Sequence, residues 1–140
     1  MPAPDYQSLI DAATWGFIRD TDACYPPDTA SMDIADQRRV YDAMCAHFQR
    51  GYPPGVVSED RMISGVSCRV YPGEAPTVIY LHGGGYVVGG LHSHDDVCAE
   101  IRATTGLTVV AVDYRLSPEH RHPAALDDAV AVTRAMAAQG

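Results

Sequence analysis

The order of helix-like and strand-like segments in this 140-residue chain predicts an α/β fold. The first part of the chain has helical spacing of its apolar residues, and from Val56 the pattern becomes strand-like. Thereafter strand-like runs alternate with helical patterns, as they do where strands lie parallel in βαβ units. The run Leu107–Val112 is apolar throughout, which is typical of a strand covered on both faces.

Residues 1–55 are predicted to be helical. The segment Tyr6–Asp20 carries Leu9, Ala13 and Phe17 at helical spacing, and Asp33–Gln49 has a clearer apolar face. Prolines and glycines follow each segment and end it. The spacing alone does not distinguish helices that pack on a core from helices that contribute to a functional site.

Residues 56–140 are predicted to hold the strands of the sheet. The pair Ser64-Gly65 is a turn signal between the first two strands and predicts that they are antiparallel. We expect a break at 72–76 and a helix end at Gly106. The predicted strands are Val56–Ile63, Val66–Tyr71, Thr77–Leu81 and Leu107–Val112, and the predicted helices are Ser93–Thr105 and His122–Gln139.

The composition limits the classes of function. The net charge is −8, with no cluster of Lys and Arg, which argues against a nucleic-acid partner. No apolar run approaches the roughly 20 residues of a membrane span, and the N-terminus lacks the features of a secretory signal. The simplest expectation is a cytoplasmic protein with reduced thiols at Cys24, Cys45, Cys68 and Cys98.

Three consecutive glycines, Gly83-Gly84-Gly85, follow the strand Thr77–Leu81. Glycine can adopt positive φ and lets the backbone approach a ligand closely. The run could be only a flexible connection. A main chain shaped in this way can also aim its own N–H groups at one point, which is what a developing oxyanion requires.

Two motifs carry a family resemblance. The pattern H-G-G-G-x-x-x-G runs from His82 to Gly89, and D-Y-R-L-S-P-E-H runs from Asp113 to His120, followed by P-A-A-L-D-D-A. Both resemble motifs of the hormone-sensitive-lipase-like esterases, a family with the α/β-hydrolase fold. The resemblance covers roughly residues 33–140.

The resemblance implies the N-terminal part of an α/β-hydrolase sheet, with two antiparallel strands followed by a parallel βαβα unit and strand order 1-2-4-3. Residues 1–55 would be N-terminal cap helices, with aromatics such as Trp15, Phe17 and Tyr41 shaping an acyl pocket. Residues 56–140 would be the first half of the core. The strand Thr77–Leu81 would then form an exposed sheet edge that could pair with another chain.

The resemblance also assigns the site. The N–H groups of Gly84 and Gly85 would face the substrate oxygen, and Gly83 would shape the turn. Tyr86 would border the substrate cleft, His82 would hold the loop by hydrogen bonding, and Gly89 would allow its return. The implied oxyanion-hole residues are therefore Gly83, Gly84 and Gly85, with Tyr86 binding substrate and His82 and Gly89 in support.

The nucleophile is not found. α/β-Hydrolases place it on a G-x-S-x-G elbow, and the nearest approach here, Gly65–Arg69, lacks the second glycine. We therefore expect the Ser-Asp-His triad to lie beyond Gly140. The implied activity is that of a serine-type carboxylic ester hydrolase acting on a small ester, with no cofactor and no metal. The alternative is a catalytically silent remnant or interaction fragment, complemented by a second chain or a homo-oligomer.

Other polar clusters have structural explanations. His92-Ser93-His94-Asp95 could suggest a metal site, but we expect Ser93 or a neighbour to cap a helix. Arg115 and Glu119 are predicted to form an ion pair. Asp127 and Asp128 are predicted to be partners of a helix dipole.

Overall fold

The sheet of this protein is four-stranded, with the order β1-β2-β4-β3. The structure is a computed structural model that describes residues 6–139. β1 pairs antiparallel with β2, β2 pairs antiparallel with β4, and β3 lies parallel to β4. The predicted strand order and directions are confirmed. The strands are β1 (Glu59–Ile63), β2 (Val66–Tyr71), β3 (Glu74–Leu81) and β4 (Leu107–Val112).

The helices lie where the apolar spacing predicted them, with one exception. The expected single helix Tyr6–Asp20 is two helices, because Asp11 accepts a hydrogen bond from the backbone N–H of Thr14 (2.8 Å) and caps a new helix. Asp33 caps the next helix in the same way. The helices are α1 (Tyr6–Leu9), α2 (Ala12–Ala23), α3 (Ile34–Phe48), α4 (Asp95–Thr105) and α5 (Ala124–Ala137).

β4 is the centre of the core and is covered on both faces, as its sequence predicted. Val110 and Val112 pack in a cluster with Val132 of α5, whereas Val109 and Ala111 pack with Cys98 of α4. Successive residues of a strand point to opposite faces, so one helix covers each side. The two faces of β4 thus fix α4 and α5 around the sheet.

The bounds of two strands differ from the prediction. β1 begins at Glu59 rather than Val56, and β3 begins at Glu74 rather than Thr77. The expected break at 72–76 is wrong in its second half, because the N–H of Glu74 donates to the carbonyl of Gly106 (2.8 Å) and pairing then shifts register before Val78. β3 lies at the edge of the sheet, as expected.

None of the helices within residues 6–139 combines the length and the apolar character needed to cross a membrane.

Candidate functional site

Two loops begin side by side at one edge of the sheet. Leu81 at the end of β3 pairs with Val112 at the end of β4, and the strands are parallel. Both chains therefore leave the sheet at the same end, which is where α/β sheets bind ligands. The loop after β3, residues 82–94, is the glycine loop; the loop after β4, residues 113–123, is the β4 loop.

The glycine loop closes into a tight turn at Gly84. The N–H groups of Val87 and Val88 both donate to the carbonyl oxygen of Gly84, at 3.0 Å each. Gly84 has φ +129°, and a Cβ built there would lie 2.1 Å from the carbonyl oxygen of Val88. Only glycine fits this position, since no side chain can share that space.

The N–H groups of Gly83, Gly84 and Gly85 are free donors within the described residues. None of them donates to an acceptor in 6–139, although neighbouring N–H groups of the turn do. The three glycines line a groove of about 790 Å³. Leu81, Tyr86 and Leu126 contribute its exposed apolar surface. The arrangement can offer backbone donors to an oxygen atom of a partly apolar ligand.

The buried side chain of His82 supports the glycine loop. Its side chain is buried, and its Nδ1 lies 2.8 Å from the carbonyl oxygen of Gly83. The ring stacks on Tyr114 with centroids 4.2 Å apart, and the Tyr114 hydroxyl donates to the carbonyl oxygen of His82 (2.6 Å). Burial lowers the pKa of His82 and favours the neutral ring. Since a carbonyl accepts, Nδ1 carries the proton.

Gly89 lies against His82, where the loop returns. A Cβ at Gly89 would lie 2.6 Å from Nδ1 of His82 and 2.9 Å from the carbonyl oxygen of Gly83. The φ of Gly89 is +93°. The spacing of the motif therefore has a physical reason, because a side chain at Gly89 would displace the histidine that holds the turn.

Tyr86 joins the glycine loop to the β4 loop. Its carbonyl oxygen accepts from the N–H of Ser117 (2.8 Å), and its φ of +62° is unusual for a residue other than glycine. Its side chain is 65% exposed and lines the groove. Tyr86 therefore links the two loops through its backbone and lines the groove with its side chain.

The expected ion pair between Arg115 and Glu119 is wrong. Arg115 instead pairs with Asp128 (Nη2 to Oδ1, 2.8 Å), whose carboxylate also accepts from the Arg115 N–H (2.9 Å). Glu119 pairs with Arg38 of α3. The role of Asp128 as a helix-dipole partner is likewise replaced, since its carboxylate is buried against Arg115 and the arginine lowers its pKa.

At the start of α4 the cap is a neighbour of Ser93 rather than Ser93 itself. The Ser93 hydroxyl donates to the carbonyl oxygen of Gly90 (2.8 Å), whereas the Asp96 carboxylate accepts from the N–H of Val97 in the first turn (2.9 Å). Asp95 also holds the helix to the sheet, accepting hydrogen bonds from the hydroxyls of Tyr52 and Tyr71 (2.7 and 2.5 Å) and from Arg69 (3.0 Å). This anchor fixes the end of the glycine loop.

The histidines and acids of the H-x-H-D segment have separate partners. His92 bonds to Asp42 (2.7 Å), and the Asp96 carboxylate accepts from the N–H of Arg50 (3.0 Å). Across residues 6–139, no group of three or more His, Cys, Asp or Glu is placed to hold a metal ion.

The N-terminal aromatic residues that were expected to shape an acyl pocket are not part of this groove. The groove is lined from the two loops and from α5, and Trp15, Phe17 and Tyr41 do not line it. Arg38 and Tyr114, which do contact the loops, were not singled out by sequence reasoning. Tyr114 lies inside the D-Y-R-L motif, so the sequence motif could have identified it as a residue near the site. Nothing in the neighbouring sequence could have identified Arg38, because the residues that it contacts in the two loops are 49 or more positions away.

Comparisons with known proteins agree with this geometry. A family profile described as the α/β hydrolase fold matches residues 78–140. The esterase LipI of Mycobacterium tuberculosis is 52% identical over 67 residues, covering 48% of this chain and 21% of that protein. An acetyl esterase of Salmonella typhi is 36% identical over 114 residues, covering 76% of this chain and 35% of that protein.

A solved structure of an esterase from the bacterial hormone-sensitive lipase family superposes with a TM-score of 0.74 at 32% identity. The match covers 89% of this chain and 41% of that one. This chain thus spans between about a fifth and two fifths of the proteins it matches.

The sheet order, the glycine turn at the end of β3 and the family profile place this chain in the α/β-hydrolase class. Its strand arrangement is that of the N-terminal part of such a sheet. Within the class, the chain is similar to the hormone-sensitive-lipase-like esterases, since a solved structure from that family matches 89% of this chain.

Proposed function

We propose that this chain supplies the oxyanion-hole part of a serine-type carboxylic ester hydrolase. The observation that carries the proposal is the glycine turn: Gly83, Gly84 and Gly85 line the groove, and their N–H groups have no acceptor in residues 6–139. The names of the relatives, an esterase and an acetyl esterase, support an ester as the substrate class.

In this proposal the chain's contribution to catalysis is electrostatic. A serine hydroxyl attacks the ester carbonyl carbon, and negative charge develops on the carbonyl oxygen. The N–H groups of Gly84 and Gly85 donate to that oxygen, and Gly83 shapes the turn that aims them. Loss of one such donor costs roughly 100- to 1000-fold in kcat. Collapse of the intermediate breaks the bond to the alcohol, which leaves with the proton that the base took from serine, and an acyl-serine remains. Water then attacks the acyl-serine, which releases the acid and regenerates the serine hydroxyl.

The remaining groups are proposed to come from residues outside 1–140. The chain has no G-x-S-x-G segment, and Ser67 lies within β2 rather than at a strand-to-helix turn. The nucleophile, its base and the orienting carboxylate would therefore be supplied by sequence corresponding to the unmatched part of the longer relatives. No cofactor is required by this chemistry.

The division of labour within the chain is also proposed. Residues 56–140 would form the first half of the catalytic core, and residues 1–55 would form cap-type helices. The support for the second part is α3, which reaches the glycine loop through Asp42 and the β4 loop through Arg38. Tyr86, exposed at the groove, would contact the acyl or alcohol group of the ester.

The test is a chimera. Residues 1–140 replace the corresponding N-terminal part of an acetyl esterase relative, which provides a serine and its triad partners. We expect the chimera to hydrolyse p-nitrophenyl acetate and its Gly84→Ala variant to lose at least 100-fold in kcat. A matched control is Gly16→Ala, a helix glycine with open space around its Cβ position. A folded chimera without turnover would contradict the proposed function.

A second candidate is an interaction fragment. Two observations favour it: β3 is an edge strand, and the groove beside it is open. An unpaired strand edge is a template for another chain. The 140-residue chain alone should then neither hydrolyse the ester nor label with a phosphonate probe, and it should gain activity only when mixed with a triad-bearing polypeptide. Turnover by the chain alone would contradict both candidates as stated.

A further inference from the structure

Arg38 connects three parts of the molecule that are far apart in sequence. Its Nε donates to the carbonyl oxygen of Val87 (2.8 Å), and its Nη2 donates to the carbonyl oxygen of Ser117 (2.9 Å). Nη1 and Nη2 also bind the two carboxylate oxygens of Glu119, at 2.9 and 2.8 Å. One side chain of α3 thus contacts the glycine loop and the β4 loop together.

The Val87 contact lies at the turn that presents the free donors. The N–H of Val87 is one of the two that close the turn onto Gly84, and the carbonyl oxygen of Val87 accepts from Arg38. On the other side, Ser117 donates to Tyr86 while its own carbonyl oxygen is held by Arg38. The guanidinium therefore holds both ends of the contact between the two loops.

The geometry depends on a guanidinium. Arg38 donates from Nε, Nη1 and Nη2 in a planar fork, whereas a lysine ammonium is a single point of charge. The side chain is 28% exposed, so its contacts are partly shielded from water. The pairing with Arg38 lowers the pKa of Glu119 to about 2 and raises the pKa of Arg38. Both groups stay charged over the ordinary pH range.

Two other charged residues of α3 have different partners. Asp42 bonds to His92 near the end of the glycine loop, and within residues 6–139 the ion-pair partner of Arg39 is Asp36 on its own helix. Arg39 is 72% exposed and next to Arg38 in sequence. It therefore provides a control that removes the same charge from the same helix without touching either loop.

We propose that Arg38 is a positioning residue for the oxyanion donors. By binding Val87, Ser117 and Glu119, it makes the direction of the N–H groups of the glycine turn depend on how α3 packs against the two loops. The proposal rests on the proposed function for its catalytic consequence, but its structural consequence can be measured without any activity. Arg38 touches no reacting atom and acts through the two loops.

The structural test uses amide hydrogen exchange of the 140-residue chain by NMR. In Arg38→Lys we expect exchange at the N–H groups of Ser117, Val87 and Val88 to accelerate about tenfold or more, since hydrogen bonds to a charged group are lost. Amides paired between β2 and β4 should keep their protection. Arg39→Gln should change neither set.

Arg38→Gln serves as a second variant. If Arg38→Gln does not fold, the result for Arg38→Lys alone decides on the proposal. Unchanged exchange at Ser117 and Val88 in a folded Arg38→Lys chain would overturn the proposal, because the charge alone would then suffice. Equal acceleration of the β-sheet amides would overturn it too, since Arg38 would then act only on global stability.

The kinetic test uses the same chimera with the acetyl esterase relative. Arg38→Lys should lower kcat at least tenfold with KM changed less than threefold, as expected when an interaction is lost mainly in the transition state. Arg39→Gln should match the parent chimera. An inactive parent chimera would count against the proposed function and leave the exchange result to decide on Arg38. An active parent with identical Arg38→Lys kinetics would overturn the positioning role.

Discussion

The three glycines of the turn should respond differently to the same added methyl group. At Gly84 a Cβ would lie 2.1 Å from the Val88 carbonyl oxygen, and φ is +129°. At Gly85 nothing lies within 4 Å, but φ is +59°. At Gly83 nothing lies within 4 Å and φ is outside the left-handed region. An added methyl group therefore meets both steric overlap and an unfavourable backbone at Gly84, an unfavourable backbone alone at Gly85, and neither at Gly83.

The magnitudes follow from these geometries. Gly84→Ala combines a backbone conformation that costs about 1–3 kcal/mol with an overlap whose relief costs a similar amount. Gly85→Ala carries only the left-handed cost of about 1–2 kcal/mol. Gly83→Ala should stay within about 0.5 kcal/mol of the parent in stability. The expected order of destabilisation is therefore Gly84, then Gly85, then Gly83.

Thermal unfolding of the 140-residue chain measures this order directly. A loss of about 3 kcal/mol at Gly84 corresponds to a fall in Tm of about 10 °C for a domain of this size. Gly16→Ala in α2, where nothing lies within 4 Å, should raise Tm slightly because alanine is the better helix former. If Gly83→Ala lowered Tm more than Gly84→Ala, the steric and backbone reasons given for the turn would be refuted.

Further expectations concern the supports of the loop. Gly89→Ala should lower Tm and change the NMR signals of His82, because the new Cβ would overlap Nδ1. An NMR titration should give His82 a pKa below its usual value, and a raised pKa would contradict this expectation. Because a lowered pKa means that the unfolded chain binds more protons than the folded chain, the stability should fall as the pH drops below about 6.5. Asp128→Asn should lower the urea unfolding free energy by about 1–2 kcal/mol through loss of the Arg115 contacts, discounted because the arginine is half exposed. Its control Asp127→Asn, exposed at the first turn of α5, should stay within about 0.5 kcal/mol.

Local sequence patterns predicted most of the fold. The β4 run was apolar throughout because helices cover both of its faces, and the strand order followed from the family resemblance. The single helix predicted from Tyr6 failed at Asp11, since apolar spacing continues across a cap that only the Asp11–Thr14 hydrogen bond reveals. β1 was predicted too long because Val56 and Val57 are β-branched but lie outside the ladder.

Ion pairs of the β4 loop were predicted less well than the backbone. Arg115 and Glu119 are four residues apart and of opposite charge, so a local pair was the natural hypothesis. In the structure each found a partner from another element, Asp128 of α5 and Arg38 of α3. Such choices depend on how helices dock against the sheet. A single sequence carries little information on that docking, whereas the glycine turn is encoded by residues next to one another.

Under the proposed function, the groove would act through the N–H groups of the turn, which have no acceptor in residues 6–139. Gly83 and Gly85 are exposed, so in this chain water can satisfy their donors at little cost. If the groove were covered by the rest of an enzyme, each donor left without an acceptor would cost about 1–3 kcal/mol. A substrate carbonyl oxygen would remove that cost, and an oxyanion would bind the same donors more strongly than the neutral carbonyl does. In the proposed enzyme, covering the groove would therefore favour the transition state over the ground state, and this effect would depend on the contacts of His82, Gly89 and α3 with the turn.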